Sequence, residues 1–266
     1  SGFIGKNFCD LALKKGHYIF APTRKKNLTK KKNLKWLKGD FDKNWKNELS
    51  KSDLLIHFAA SGLDQTNLEN VFDVNVFKSL RLLKNAIQNN CRKWIIISTS
   101  SEYGLRNSKK FNKFSKKTNR IPDTIYGLSK AIFVDKAINL AKKYKCKVRV
   151  MRLFAIYGKG ENRNRLYPSL LNKNKKILHI KNPFETRDFT NVNFASKIIL
   201  DSCRFDKNKF KYYQIWHVSE NKPKMIQEFV KDVLKLRKIK KKIKLNKNNI
   251  VKFNHISDRN SVWKIN

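Results

Sequence analysis

The chain has few of the residues that mark specialised classes of protein. Its 266 residues include only 4 cysteines, 9 glycines and 5 prolines. So little glycine and proline excludes a collagen-like or low-complexity chain. The cysteines lie far apart without a Cys-x-x-Cys pair, which argues against a disulfide framework or a zinc site; they are Cys9, Cys91, Cys146 and Cys203. We therefore expect reduced thiols, no bound metal and a cytoplasmic location.

Long hydrophobic runs and acidic residues are also scarce. No apolar run approaches the ~18 residues of a membrane-spanning helix, so no membrane partner is expected. Lys and Arg number 61 against 20 Asp and Glu, which gives a formal net charge of +41. This excess could neutralise nucleic-acid phosphates. Because the lysines are scattered and no nucleic-acid-binding motif accompanies them, we interpret the charge as compositional bias that would still attract a small anionic substrate.

Short β-branched runs alternate with longer amphipathic stretches along most of the chain. Strands are predicted at residues 18–23, 53–60, 94–98 and 147–154, with helices at 71–89 and 126–144. This alternation is typical of an α/β fold, a Rossmann-like doubly wound parallel sheet. We expect a dinucleotide-binding domain over residues 1–155. Residues 156–266 are expected to form mainly a smaller α/β substrate-binding region, interleaved with the first.

The chain starts on a glycine-rich turn that runs directly into a predicted helix. Gly2 and Gly5 would let the backbone approach a pyrophosphate at the helix N-terminus. In a doubly wound fold such a turn follows the first, central strand, so we expect that this strand is missing from the sequence through N-terminal truncation. After the strand at 18–23, Arg24 stands where an acidic residue often binds the ribose. NAD or NADP is therefore the expected cofactor, with NADP favoured.

Two segments carry groups suited to carbonyl and alcohol chemistry. Tyr126 and Lys130 are one helical turn apart, and an ammonium beside a phenol would favour a proton exchange near neutral pH. In a Lys-rich chain this spacing arises by chance about once or twice, so its meaning depends on its surroundings. The hydroxyl-rich segment 98–104 follows an apolar strand, where hydroxyls face the ligand crevice and can polarise a substrate carbonyl.

The motifs in this order resemble the extended short-chain dehydrogenase/reductase family, which includes NAD(P)-dependent nucleotide-sugar epimerases, dehydratases and ketoreductases. The resemblance covers nearly the whole chain and rests on GFIG (2–5), GDF (39–41), IHFAA (56–60), NV (75–76), STSSEYG (98–104), YGLSK (126–130), RLFAIYG (152–158) and RDFT (187–190).

This resemblance implies roles for particular residues. Tyr126 would be the acid/base, and Lys130 would bind the nicotinamide ribose and lower the pKa of the tyrosine. Thr99 would be the catalytic hydroxyl, with Ser100 as the alternative. Arg187 would contact the substrate diphosphate, with Arg165 as a weaker candidate. The implied cofactor-binding residues are Gly2, Phe3, Ile4, Gly5, Arg24, Asp40, Phe41, Ala59, Ala60, Asn75 and Lys130.

The implied activity is hydride transfer at a sugar carbon, C4, of a nucleotide-diphosphate sugar. Ser100 and Ser101 stand where 4,6-dehydratases carry an acid pair, which argues against dehydration. An epimerase is the first interpretation. A 4-ketoreductase, a catalytically silent NAD(P)-binding member and, last, a basic nucleic-acid-binding protein are the alternatives. A homodimer through the helix that carries Tyr126 is also expected.

Overall fold

The structure is a computed structural model, and it describes residues 2–25, 28–62, 67–104, 113–206, 209–245 and 254–265. The helices in these ranges are α1 (Phe3–Lys14), α2 (Lys46–Ser50), α3 (Leu68–Phe72), α4 (Ser79–Gln88), α5 (Ile125–Lys143), α6 (Leu166–Leu171), α7 (Val192–Asp201) and α8 (Ile226–Leu236). A π-helical segment, Asp73–Lys78, joins α3 to α4, and a 3-10 turn, Ser100–Tyr103, follows β4. No helix in these ranges has both the length and the hydropathy to cross a membrane.

The strands in the same ranges are β1 (Ile19–Thr23), β2 (Leu34–Lys38), β3 (Leu55–His57), β4 (Lys93–Thr99), β5 (Lys147–Leu153), β6 (Ile156–Tyr157), β7 (Ile177–Ile180), β8 (Thr186–Arg187), β9 (Thr190–Asn191), β10 (Tyr213–Val218), β11 (Lys224–Met225), β12 (Lys242–Leu245) and β13 (Asn254–His255). A four-stranded parallel sheet has the order β10-β5-β4-β3, and β1 and β2 form a separate parallel pair. The predicted Rossmann-like α/β fold is confirmed.

Strand β4 organises the core because its side chains alternate between the two faces of the central sheet. Trp94 and Ile96 pack on one face against α4 and α5, in a cluster that includes Phe133. Ile95 and Ile97 pack on the opposite face against α1 and α7. Ile19 of β1 lies against that second cluster, so the two-stranded sheet and the central sheet share hydrophobic contacts.

The C-terminal region adds a third cluster of buried residues, in which α6 and α8 pack with β7 and β12. Helix α7 and Trp263, however, belong to the cluster beneath the central sheet. Residues after 155 therefore contribute to both parts of the molecule, and a domain boundary at that position remains a prediction.

Two predicted elements differ from the structure. The strand expected at 53–60 is confined to Leu55–His57, because only these residues pair with β4 and Phe58 turns to pack against Phe8 with ring centroids 5.2 Å apart. The helix expected at 71–89 contains the π-helical segment, a local widening that often occurs at functional sites. It carries Asn75, which is buried against α5 and the loop after β3.

Candidate active site

The start of α5 is fixed against the 3-10 turn that follows β4. Thr124 caps the helix, since its hydroxyl accepts a hydrogen bond from the Gly127 amide at 3.0 Å. A Cβ on Gly127 would lie only 2.4 Å from the Ser101 carbonyl oxygen. Glycine at this position therefore allows the close approach that brings Tyr126 next to the hydroxyl-rich turn.

Lys130 lies one turn further along α5 and is buried. Its Nζ donates a hydrogen bond to the Ile97 carbonyl oxygen at 2.8 Å, and burial lowers its pKa to about 8. Burial raises the pKa of Tyr126 to about 12, with the charge of Glu102 acting in the same direction and that of Arg165 opposing it. The Lys130 ammonium is turned to the β4 carbonyl here, and the lowering of the tyrosine pKa by Lys130 stays a prediction.

The two candidate hydroxyls have different partners. The Thr99 Oγ1 accepts from the Ser101 amide at 3.1 Å and lies at the carboxyl end of β4. The Ser100 hydroxyl is buried 3.3 Å from His255 Nδ1, and its carbonyl oxygen lies 3.2 Å from His255 Nε2. Ser100 is therefore held by β13, and we favour Thr99 as the hydroxyl that serves a substrate.

A buried polar network supports this turn. The Glu102 carboxylate accepts from Arg152 at 2.9 Å and from Arg120 at 3.1 Å, and also from the Ser98 hydroxyl. Arg152 also donates to the Tyr103 hydroxyl at 2.7 Å, which in turn lies 2.7 Å from His217 Nε2. Because charged groups in low-dielectric surroundings need these partners, the network fixes the turn that follows β4.

The N-terminus of α1 is accessible from outside. Gly2 is the N-cap without a side-chain hydrogen bond, the first turn with Phe3 and Ile4 carries no acid, and a Cβ on Gly2 would meet nothing within 4 Å. Gly5 packs on Phe58, where an added Cβ would make ordinary contact at 3.5 Å. The free amides of this helix end are suited to a pyrophosphate.

The other candidate cofactor residues follow the carboxyl ends of parallel strands. Arg24 follows β1 and Asp40 follows β2, with Arg24 Nε 3.5 Å from Asp40 Oδ1. Phe41 makes an edge contact with the His57 ring at a centroid distance of 5.7 Å. Ala59 is half-buried and Ala60 is exposed directly after β3. These positions share one edge of the fold, where doubly wound proteins bind ligands.

Asn75 is more deeply buried than the other candidates. Its amide donates to the Ser61 carbonyl at 2.8 Å and to the Ser129 hydroxyl at 3.0 Å, and its carbonyl accepts from the Ser61 amide at 2.8 Å. Asn75 therefore ties the loop after β3 to α5. It stabilises the arrangement of the loop that carries Ala60 and the helix that carries Lys130.

The two candidate substrate arginines are partly exposed. Arg187 donates to Glu185 Oε1 at 2.7 Å and lies opposite His255 in the pairing of β8 with β13. Arg165 precedes α6, with its Nε 3.9 Å from Glu161 Oε1, and its charge acts on Tyr126. Of these two arginines, Arg165 is the one whose charge acts on Tyr126.

A family model for the NAD dependent epimerase/dehydratase family matches residues 1–202. The chain belongs to this family. It is 25% identical over 242 residues to human dTDP-D-glucose 4,6-dehydratase, an alignment that covers 87% of this chain and 67% of the relative. It is 30% identical over 203 residues to CDP-abequose synthase of Salmonella typhimurium, and this alignment covers 73% of this chain and 64% of that relative. The chain thus spans about two thirds of the length of these curated relatives.

Solved structures share the fold of this chain. MoeE5 in complex with UDP-glucuronic acid and NAD has a TM-score of 0.85 at 19% identity, covering 100% of this chain and 92% of that one. UDP-glucuronic acid 4-epimerase from Bacillus cereus in complex with NAD has a TM-score of 0.81 at 19% identity. The match covers 92% of this chain and 85% of that one. At this identity the likeness establishes the fold.

Two residues that contact the candidate site residues were not predicted from the sequence. His255 contacts Ser100 across 155 residues of chain, a distance over which no local pattern gives a signal. Glu161 is largely buried beside Arg165, and burial raises its pKa to about 7. One of its oxygens, Oε2, has no hydrogen-bond partner in the part of the chain that the structure describes. A carboxyl group with such a pKa can exchange protons near neutral pH.

Proposed function

We propose that this epimerase/dehydratase binds NAD(P) and moves a hydride at a sugar carbon, C4, of a nucleotide-diphosphate sugar. The observation that carries the proposal is the close packing of α5 on the Ser101 carbonyl at Gly127, the residue next to Tyr126, which supports a site between Tyr126 and the turn after Thr99. NAD(P), when bound, supplies the hydride acceptor and donor. The accessible α1 N-terminus and the strand ends that follow β1, β2 and β3 fit such a dinucleotide.

The proposed work of the protein is to hold and move one proton. With a pKa of about 12, Tyr126 keeps its proton at neutral pH and can donate it to a keto oxygen. Thr99 would hydrogen-bond the same oxygen and orient it. When the sugar is oxidised instead, Tyr126 must accept a proton, and a positive charge beside its phenol favours this. In the structure the Lys130 ammonium is bonded to the Ile97 carbonyl. We propose that Lys130 leaves the Ile97 carbonyl when the nicotinamide ribose is in place.

Epimerisation is the reaction we favour. Curated relatives include 4,6-dehydratases, but Ser100 is committed to His255 and neither it nor Ser101 supplies the acid that dehydration needs. A 4-ketoreductase uses the same proton chemistry once, without returning the hydride, and remains the alternative. A silent NAD(P)-binding member would share the fold without turnover.

A substrate panel tests the activity. The chain is incubated with UDP-, dTDP- and CDP-hexoses and their 4-keto forms, with oxidised or reduced cofactor, while absorbance at 340 nm and product identity are followed. An epimerase interconverts C4 isomers with no net change in absorbance. A ketoreductase consumes one reduced cofactor per product. Absence of turnover with every sugar, in a sample that binds cofactor, would contradict the proposed activity.

The same panel decides between NAD and NADP. Solved proteins with this fold are complexed with NAD, whereas Arg24 favours the 2′-phosphate of NADP in our proposal. Its side chain is 80% exposed and is held by Asp40 only at 3.5 Å, so it is free to turn towards a phosphate. We expect turnover with NADP to exceed that with NAD, in the oxidised form for epimerisation and in the reduced form for ketoreduction, and equal turnover with both would remove Arg24 from the cofactor site.

We further propose a homodimer through α5 and the adjoining segment formed by α3 and the π-helical residues before α4. We also propose that the protein is located in the cytoplasm. Exposed apolar side chains support the dimer: Leu68 is 53% exposed, Phe77 60% and Leu128 42%. Sedimentation equilibrium is expected to give twice the monomer mass, and Phe77→Glu to give the monomer. Equal masses for the unchanged chain and the Phe77→Glu variant would contradict an interface that contains Phe77.

A further inference from the structure

A cavity lies away from Tyr126, between the segment that begins at Phe114 and the middle of α5. Its volume is about 360 Å³, within the range of small-molecule sites. Asp135 and Ile138 of α5 contribute to its wall. Asp135 lies nine positions after Tyr126, which corresponds to about 14 Å along a helix at 1.5 Å per residue. The cavity is therefore distinct from the proposed active site.

The wall of this cavity is strongly cationic. Four lining side chains are cationic, and they are Lys116, Lys117, Arg120 and Arg152. Asp135 is the single carboxylate among the described lining residues, and Glu102 lies behind the wall, bonded to both arginines. Four positive charges face two negative ones, which leaves an excess of two positive charges at the cavity.

Two of these cations can still bind an anion, although Arg152 already pairs with Glu102 at 2.9 Å. Arg152 is 2% exposed, and its Nε has no hydrogen-bond partner among the described residues. Lys116 makes no ion pair within the described ranges, and its Nζ lies 3.8 Å over the Trp216 ring. A buried N–H without an acceptor is costly, so an acceptor inside the cavity would lower the free energy of the folded state.

The loop that carries Lys116 and Lys117 is held in place by hydrogen bonds of its backbone groups. The Phe114 amide donates to the Ile256 carbonyl at 2.8 Å, and its carbonyl accepts from Asp258 at 2.7 Å. The Lys116 amide donates to the Ser261 hydroxyl at 2.9 Å. Because these bonds fix the backbone before any ligand arrives, Lys116 and Lys117 are available at little further cost in conformational entropy.

We propose that this cavity binds a small phosphate-bearing anion, free phosphate or a phosphate monoester, at a site separate from Tyr126. Guanidinium groups suit oxyanions because their planar donors match the spacing of two oxygens, while ammonium groups add point charges. The volume exceeds what a single inorganic ion needs and leaves space for the organic part of an ester beside Ile138 and Ile215.

Calorimetric titration of the whole chain with inorganic phosphate and with glucose 6-phosphate tests the site. Each titration is run at an ionic strength matched with sodium chloride, because a chain of charge +41 attracts any anion. Lys116→Ala/Lys117→Ala is compared with Lys142→Ala/Lys143→Ala, which removes two adjacent lysines from the last turn of α5. We expect saturable binding, weakened at least about tenfold in the first variant and unchanged in the second.

Tighter binding of glucose 6-phosphate than of phosphate would identify the ester as the ligand class, and equal binding would identify free phosphate. Equal affinities in both double variants, or no binding beyond that of chloride, would overturn the proposal. As a second variant, Lys116→Glu places a carboxylate at the cavity. It is expected to abolish phosphate binding, and unchanged phosphate affinity in this variant would also refute the site.

Discussion

Tyr126→Phe is expected to lower turnover by about 10²–10⁴-fold and to leave cofactor affinity within about twofold. The substitution removes the hydroxyl that carries the transferred proton and keeps the ring that packs at the start of α5. The α1 N-terminus and the strand ends that would hold the dinucleotide are untouched. Steady-state turnover and fluorescence titration with NADH and NADPH measure the two quantities separately.

The matched control is Tyr144→Phe at the other end of the same helix. This side chain is 40% exposed and follows the last helical residue, so loss of its hydroxyl should change neither quantity. Turnover retained in Tyr126→Phe would refute the proposed proton transfer. A parallel loss of cofactor binding would show that the phenol is needed for assembly of the cofactor site.

The parts of this site that the sequence predicted correctly depend on short-range signals. The helix that carries Tyr126 and Lys130 buries Phe133, Ala137 and Ala141 at helical spacing, and β4 contains an apolar run, so both elements and their order follow from local pattern. Arg24 and Asp40 follow the paired strands β1 and β2, and Ala59 follows β3, so the order of these strands along the chain was predictable, while the role of the three residues at a cofactor stays a prediction.

The parts that the sequence did not predict depend on contacts between distant segments. His255 reaches Ser100 only because β13 pairs with β8, and each of these strands has just two residues. The direction of the Lys130 ammonium is set by the Ile97 carbonyl 33 positions earlier. Spacing places Lys130 on a helical face, but rotamer and burial determine which group its ammonium contacts.

Glu102→Ala is expected to be the most destabilising single substitution at the turn after β4, at about 3–5 kcal/mol. Glu102 is fully buried, and its carboxylate neutralises Arg152, which is 2% exposed and cannot turn to solvent. Removal of the carboxylate leaves that guanidinium charged in a low-dielectric interior. Urea unfolding monitored by tryptophan fluorescence should show the loss as a lower midpoint with an unchanged slope.

Two further variants separate this effect from a simple loss of packing. Glu48→Ala removes a carboxylate that pairs at 2.9 Å with the largely exposed Lys35, and it should cost about 1 kcal/mol or less. Glu102→Leu/Arg152→Met removes both buried charges together, so it should recover most of the stability lost in Glu102→Ala. If the double variant is as unstable as Glu102→Ala, the loss comes from the shape of the side chain, and the uncompensated Arg152 charge is not its cause.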